Sequence, residues 1–529
     1  MQVFGRLWFR LARSRPDFSP PPPLATSSGV WCSPACRYPS LTGSGEFRIL
    51  NEDGSLAANG WDDPQRAKLW RYHQHYFDDL NAQGASDRCN WHKPLIEDWI
   101  ASNPPGRGSG WEPYPTSLRI VNWVKWALAG NVLSELANAS LAVQVRWLRR
   151  RLEWHLLGNH LFANAKALVF AGLYFRGTEA AGWFSTGAAI LERELPIQIH
   201  SDGGHFELSP MYHALALEDV LDLVNVLRAY GPMLNDTGCR LLAGCESCVP
   251  EMRAWLLAMS HADGAISFFN DSAFAVAPDN GELDQYAKRL GFGEVEKAAD
   301  EIWFGASGYA RLKRGRALLI ADMAKVGPDY LPGHGHADTL SFEFSLGDQR
   351  VIVNSGTSIY GTGPERQRQR GTAAHNTVVV AGQDSSEVWA GFRVGRRARR
   401  IDPRAFAEGD SFVAEAGHDG YRHLERNLRH HRRWTLAAGE LIVEDTISNP
   451  RFAAEARYHL HPDVEVQEEE DGRGTLLLPG GAKVYWRSAG NEVRVEKTTW
   501  HPEFGLSLPN KCICLTLRRG RALFRLSWS

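Results

Sequence analysis

Three histidines spaced by strand-like runs are the residues of this chain best placed for chemistry. The stretch 333–380 opens Gly333-His334-Gly335-His336-Ala337-Asp338 and alternates from Thr339 to Leu346. It continues through Val351-Ile352-Val353-Asn354 and closes at Ala374-His375-Asn376-Thr377. Antiparallel strands bring such separated residues to one rim of a sheet, where imidazoles can hold a metal or act as acid and base. Spacing alone does not choose between those roles.

Three further clusters precede it. Gly158-Asn159-His160-Leu161-Phe162 reads as a loop between two amphipathic helices, where polar side chains and free N–H groups face a ligand. The plainer reading is Asn159 as a helix cap and His160 as a surface residue. Asp202 to His213 holds Glu207, Tyr212 and His213 among two glycines and a proline, too polar for a simple helix connection. Phe268-Phe269-Asn270-Asp271-Ser272 is turn-rich, and its Asp271 would cap the next segment or line a groove. Downstream, Arg366, Arg368, Arg370, Arg393, Arg396, Arg397, Arg399 and Arg400 crowd one span with Trp389 and Phe392. That span is either a solvated loop or a cationic, aromatic surface for an anionic ligand.

The elements that must position these residues change character near residue 302. Apolar residues at three- and four-residue spacing predict helices over 117–129, 133–157, 163–174, 180–195, 213–230 and 249–259, hence a bundle, solenoid or toroid. Beyond 302 short alternating or β-branched runs at 317–321, 339–346, 377–380, 434–436, 441–443, 457–460, 484–486 and 512–517 predict a large antiparallel sandwich. The expected division is a poorly ordered, Pro- and Ser-rich lead-in over 1–45, a helical domain over 46–300 and a β-sandwich over 301–529.

With 529 residues, 43% apolar, and 59 Lys+Arg against 61 Asp+Glu, the chain is globular and carries no polybasic signature of a nucleic-acid or membrane-surface binder. Its 19 Trp suit aromatic-walled grooves or a large helical core equally. No stretch predicts a transmembrane helix, and the first residues lack the pattern of a secretory signal, so a cytoplasmic or cell-envelope location is expected. Among eight cysteines, Cys32/Cys36, Cys245/Cys248 and Cys512/Cys514 form pairs, but no two pairs combine into a zinc pattern, and they read as buried or incidental thiols.

Taken together, the clusters resemble the heparinase II/III family of polysaccharide lyases. The resemblance covers most of the chain after residue 47 and rests on His334, His336 and His375, on the Asn159-His160 and Ser209-Pro210-x-Tyr212-His213 elements, and on two runs like those of bacterial members. Those runs are Arg366-x-Arg368-x-Arg370-Gly-Thr-Ala-Ala-His375 and Glu387-Val-Trp389-x-x-Phe392. The resemblance implies an incomplete (α/α) toroid followed by an antiparallel β-sandwich, and β-elimination at the uronic acids of an acidic polysaccharide or oligosaccharide. It assigns Asn159 and His160 to the substrate carboxylate, Tyr212 as acid, base or both, and His334 as partner base or second carboxylate ligand. Glu207, His213, Asn270, Arg366, Arg370 and Trp389 are the expected substrate-binding residues. A structural zinc would fall on His336, Asn354 and His375, weakened because Asn354 offers an amide where relatives have a carboxylate; Asp338 compensates only if it points to the same side. Two rival readings stand beside this one: a glycoside hydrolase using two of Asp202, Glu207 and Asp271, and a non-catalytic glycan-binding or assembly protein.

Overall fold

The computed structural model describes residues 15–529, so the start of the expected lead-in lies outside the described residues. The chain forms two compact units. The first takes the residues up to Ile199 with Leu215–Pro250 and Ala277–Glu294, and the second takes His200–Ala214, Glu251–Val276 and Val295–Ser529.

In the first unit, residues 15–45 are not the loose lead-in that their composition predicts. A Pro-rich segment cannot satisfy its own backbone groups, and these find partners on the helices. Ala25 N–H donates to the Tyr174 carbonyl, Gly29 N–H to that of Ala229 and Cys32 N–H to Asn225 Oδ1, while Arg37 pairs with Glu218. A small antiparallel sheet of Leu41–Gly43, Glu46–Ile49 and Glu52–Ser55 follows, with Phe47 and Ile49 alternating inward. The helices then run Cys89–Ser102, Pro113–Leu128, Glu135–Arg149, Gly158–Tyr174, Thr178–Gln198, Pro210–Ala229 and Asp236–Ala258. Trp99, Trp111, Trp123 and Trp147 pack edge-on or tilted in this unit, and the buried Arg119 guanidinium lies 3.7 Å from the Trp99 ring centroid. These tryptophans are core, each removing apolar area worth roughly 25 cal/mol per Å² from water. Among the described residues no helix is long and apolar enough to cross a membrane.

The second unit is the antiparallel β-structure, in sheets of eight, five and four strands and a two-stranded ribbon. In the five-stranded sheet, Tyr309–Arg314, Ala317–Asp322 and Phe342–Leu346 pair in register. Leu312, Leu319, Phe342 and Phe344 face the main sandwich core, whereas Tyr309, Leu318 and Ile320 point the other way. Leu208, Trp255, Met259 and Phe269 cover that opposite face. Hence the unit does not begin near residue 300: two segments from among the helices, 200–214 and 251–276, belong to it, and they carry Glu207, Tyr212, Asn270 and Asp271.

Candidate active site

The site grows around Asp271. Leu208 and Asn270 adopt left-handed backbone (φ 58 and 57), and the Leu208 carbonyl accepts from both Asn270 Nδ2 and the Tyr309 hydroxyl, each at 2.7 Å. Asn270 Oδ1 accepts from the His336 backbone N–H at 3.0 Å. This clamp sets the carboxylate of Asp271 beneath the histidine segment. Ser209 ties the next element to it: its hydroxyl donates to the Asp271 carbonyl at 2.6 Å and accepts from Tyr212 N–H at 3.2 Å. Ser209 is thus an N-cap and Pro210 the first helical residue, which places Tyr212 in the first turn of Pro210–Ala229. Gly356 (φ 72) admits the close approach on the other side, since a Cβ there would lie 2.1 Å from the His501 carbonyl oxygen.

Asp271 accepts from both terminal guanidinium nitrogens of Arg366, from His334 at 2.9 Å and from His336 at 2.8 Å. Burial works to raise its pKa, but the Arg366 charge and the two imidazole hydrogen bonds outweigh that and hold the carboxyl well below the usual range. A carboxylate only accepts, so His334 carries its proton on Nδ1 and His336 on Nε2. In the neutral imidazole this tautomer leaves His334 Nε2 as the acceptor nitrogen. It lies 4.0 Å from Glu207 Oε2, and the ring packs on Tyr212 with centroids 4.0 Å apart. The Tyr212 hydroxyl meets that of Tyr360 at 3.0 Å, and Arg366 lies over the Tyr360 ring at 4.9 Å. Burial raises the pKa of both phenols well above the ordinary tyrosine value, helped at Tyr212 by Tyr360 and then Asp271 and at Tyr360 by Asp271, so each is a proton donor at neutral pH.

Several residues expected to bind substrate do other work. Asn270 is committed to the clamp. Arg366 is neutralised by Asp271. Arg370 donates to the carbonyls of Gly335, Ala390, Gly391 and Arg393, fastening the ribbon loop to the histidine segment. Arg396 and Arg397 likewise donate to backbone carbonyls, so much of the arginine-rich span is scaffold, because helix and loop geometry turns these side chains inward. Trp389 is 53% exposed on the ribbon Val388–Trp389/Arg393–Val394, and the neighbouring Phe392 packs on His334 and Tyr360.

His213 is also a correction. Its Nδ1 accepts from His205 N–H at 3.2 Å and its Nε2 donates to the Met252 carbonyl at 2.9 Å, so backbone occupies both nitrogens of a buried neutral ring. Burial pushes its pKa down to about 4 against an ordinary value of about 6.5. The unfolded chain takes up the proton first as pH falls, so the contribution is complete above about pH 6.5 and is lost between there and 4, about 3 kcal/mol in all. Urea unfolding from pH 7 to 4 should show this acid destabilisation, and His213→Gln should flatten the slope by about one proton. An unchanged slope refutes the assignment.

In the first unit, Asn159 and His160 are not in a loop. The helix begins at Gly158, four residues before the last of the expected loop residues, because Leu157 and Gly158 make the turn with positive φ (58 and 55). Asn159 sits inside the first turn rather than at the cap, and His160 Nδ1 meets Glu153 Oε1 at 3.1 Å while its ring packs on Tyr114.

Asn354 does not join the metal-type donors. Its Nδ2 donates to the Phe268 carbonyl at 2.9 Å and its Oδ1 accepts from Asn376 N–H at 3.3 Å, tying three irregular segments together. The donors that gather are His336, Asp338 and His375, all buried and within 4.8 Å of one another. His336 Nδ1, bare because Nε2 donates to Asp271, faces His375 Nε2 at 3.3 Å. Burial, helped by the nearby Asp271 carboxylate, pushes the pKa of Asp338 up, so an unaccompanied charge there is unfavourable. Two imidazoles and a carboxylate with that deficit of positive charge suit a divalent cation. Tyr360 and the organising role of Asp271 are the site features that sequence reasoning missed; Asp271 at least lay in a loop already marked as a candidate.

Residues 90–287 match the heparinase II/III N-terminus and residues 296–529 the heparinase II/III-like C-terminal domain. A heparin-sulfate lyase of Bacteroides stercoris is 28% identical over 246 residues, 42% of this chain and 35% of that protein, so the match spans about a third of that relative's length. FtsZ-localized protein C of Caulobacter vibrioides is 26% identical over 431 residues, 76% of this chain and 70% of that one. A crystal structure of heparinase III shares the fold, with a TM-score of 0.68 at 18% identity over 88% of this chain and 78% of the other. Matched in order through its helical half and its β-sandwich, the chain belongs to the heparinase II/III family.

Proposed function

We propose that the protein is a polysaccharide lyase that cleaves a uronate-containing glycan by β-elimination. The observation that carries this reading is a bare imidazole nitrogen on His334, backed by an ionised Asp271, beside a protonated Tyr212–Tyr360 pair. His334 Nε2 takes the proton from the carbon next to the sugar carboxylate. The freed electron pair forms the ring double bond, the bond to the glycosidic oxygen breaks, and that oxygen takes the Tyr212 proton. Asp271 stabilises the imidazolium formed on His334, and Arg366 keeps Asp271 ionised meanwhile. Asn159 and His160 keep the carboxylate-holding role that the family resemblance implies. The relatives named heparin-sulfate lyase put glycosaminoglycans first among substrates to try.

The test is near-ultraviolet absorbance over time with heparan sulfate, hyaluronan, alginate and bacterial capsule preparations. A rise signals an unsaturated uronate, and reducing ends formed without absorbance would indicate hydrolysis instead. Hydrolysis is disfavoured by Asp271, which is fully engaged as an acceptor, and by Asp202, whose oxygens accept from Gly204 and Ser307. The extended similarity to FtsZ-localized protein C favours one second reading, a binding or assembly role, for which glycan would be retained with neither signal.

The same reading includes a structural cation on His336, Asp338 and His375. Bound, it would cross-link the histidine segment to the start of Val378–Val380 and so steady Asp271, taking no part in proton transfer. Chelation of the purified protein should remove about one metal per chain from this cluster and lower the thermal midpoint by about 5–10 °C, from roughly 2.7 kcal/mol of binding linkage. His375→Ala should abolish that response. A midpoint indifferent to chelator in a protein free of metal would sink this part of the proposal.

A further inference from the structure

Beside His160 lies a buried carboxylate to which the elimination chemistry gives no task. Glu153 is 6% exposed, in the turn between the helices Glu135–Arg149 and Gly158–Tyr174. Its carbonyl accepts from the N–H groups of Leu156 and Leu157, both at 2.9 Å, which closes the turn against the start of the second helix. Asn164 then holds Glu153 from two sides: Asn164 Oδ1 accepts from Glu153 N–H at 2.9 Å, and Asn164 Nδ2 donates to Glu153 Oε2 at 3.1 Å. Ser117 Oγ accepts from the same Nδ2 at 3.0 Å. The other carboxylate oxygen, Oε1, lies 3.1 Å from Nδ1 of His160, four residues before Asn164 and on the same helix face. A scaffold tie needs only the first oxygen. The second is aimed at a ring that is 32% exposed and leans on Tyr114 with 4.5 Å between centroids.

What faces the ring decides how many protons it carries. A carboxylate only accepts, so His160 has a proton on Nδ1. A uronate carboxylate held by Nε2 is an acceptor as well, so Nε2 must carry a second proton while the sugar is bound. The ring that holds substrate is therefore the imidazolium. A neutral ring with its proton on Nδ1 would turn a lone pair toward the sugar carboxylate and repel it. Glu153 is the ion-pair partner of His160 among the described residues. Its charge compensates the cation and its fixed position sets the ring's direction, the two services a buried carboxylate gives the imidazole of a hydrolytic triad.

We propose that Glu153 is a positioning residue for substrate: acting through Nδ1 of His160, it aims the Nε2–H at the uronate carboxylate and holds the ring as the cation that this contact requires. The inference rests on the elimination reading and deepens it, because it makes Glu153 a source of the site's selectivity for a charged sugar acid over the same glycan without its carboxylate. The second proton on the ring comes from solvent as the uronate binds.

The readout is the ratio of affinities for oligosaccharides of heparan sulfate, hyaluronan and alginate and for their carboxyl-reduced forms, measured with full-length protein in the Tyr212→Phe background to suppress cleavage. Glu153→Gln keeps the size and the acceptor for Asn164 but presents an amide N–H to His160 Nδ1, and should lower the preference for the carboxylate about tenfold or more. His160→Gln should do the same, and the double variant should lose no more than either alone, because Glu153 acts only through the ring. Ser117→Ala, which loosens the scaffold tie from its far side, should lower the thermal midpoint and keep the preference. Because a variant can be misfolded, protein with Glu153 and His160 intact supplies a separate arm: nitrogen NMR of labelled histidine should show Nδ1 of His160 protonated throughout, and Nε2 protonated as well once the oligosaccharide is bound. An unchanged preference in Glu153→Gln, additive losses in the double variant, or a neutral ring in the complex would each overturn the proposal while leaving elimination standing. A protein that shows no preference for the carboxylate in any of these glycans would remove the elimination reading, and this inference with it.

Discussion

Replacing Tyr212 with phenylalanine should lower kcat on a cleavable uronate glycan by about 10²–10⁴-fold, the range for losing a positioned proton donor, with little change in KM. The phenyl ring still fills the helix's first turn and packs on His334, so only the hydroxyl is lost. That hydroxyl is held 3.0 Å from Tyr360 in a buried setting that keeps it protonated. Without it the departing glycosidic oxygen leaves as an alkoxide, and the elimination stalls although His334 remains a competent base. Tyr360→Phe should cost far less, about 2–10-fold, because it removes one hydrogen bond to the donor rather than the donor itself. Single-turnover rates under saturating substrate separate the two effects from binding. A Tyr212→Phe protein that still generates absorbance at the unmodified rate would remove Tyr212 from the mechanism and with it the assignment of acid and base.

How far the site could be read from sequence depends on what held each residue in place. Tyr212 was legible because a Ser-Pro helix start fixes its place in the first turn, while His334, His336 and His375 stood out only by residue type and spacing, in irregular segments ahead of Phe342–Leu346 and Val378–Val380. His336 and Asp338 lie two apart in an irregular segment, and only the fold shows that Asp338 turns to the histidine side while Asn354 is taken up by backbone groups. Arg366 and Arg370 are four apart on the short helix Pro364–Arg370 and both face inward, whereas Arg368 on the opposite face pairs with Glu365. A count of arginines cannot distinguish these. Tyr360 sits in an irregular stretch with no motif to mark it. The membership of 200–214 and 251–276 in the β-unit was hidden for a tertiary reason: Leu208, Trp255 and Phe269 fit helical and loop patterns, and the sheet face they cover is defined only when Tyr309 and Ile320 meet them.

Asp271→Asn is expected to be the most damaging single change in the unit. The amide is the same size, but it turns one acceptor oxygen into a donor facing Arg366 or an imidazole, and it leaves the buried guanidinium without an anion. Removing one partner of a buried ion pair costs about 3–5 kcal/mol, which here corresponds to roughly 6–20 °C in the thermal midpoint. Activity per folded molecule should fall as well, by about 10²–10⁴-fold, because His334 loses the acceptor that fixes its proton on Nδ1 and leaves Nε2 bare. The sandwich interior supplies its own control. There Asp445 accepts from Arg432 Nε and Nη2 and from His430 Nε2 at 2.7 Å, and His430 Nδ1 meets His418 Nε2 at 3.1 Å. That is the same carboxylate, arginine and paired-imidazole pattern, fully buried, with neither a phenol pair nor a solvent-facing histidine beside it. Asp445→Asn should therefore match the stability loss while the folded fraction keeps its kcat. If both variants lose stability and activity in proportion, Asp271 is a structural ion pair only, and the tautomer argument for His334 fails. If Asp271→Asn loses activity out of proportion to unfolding, the carboxylate acts through His334 as the geometry requires.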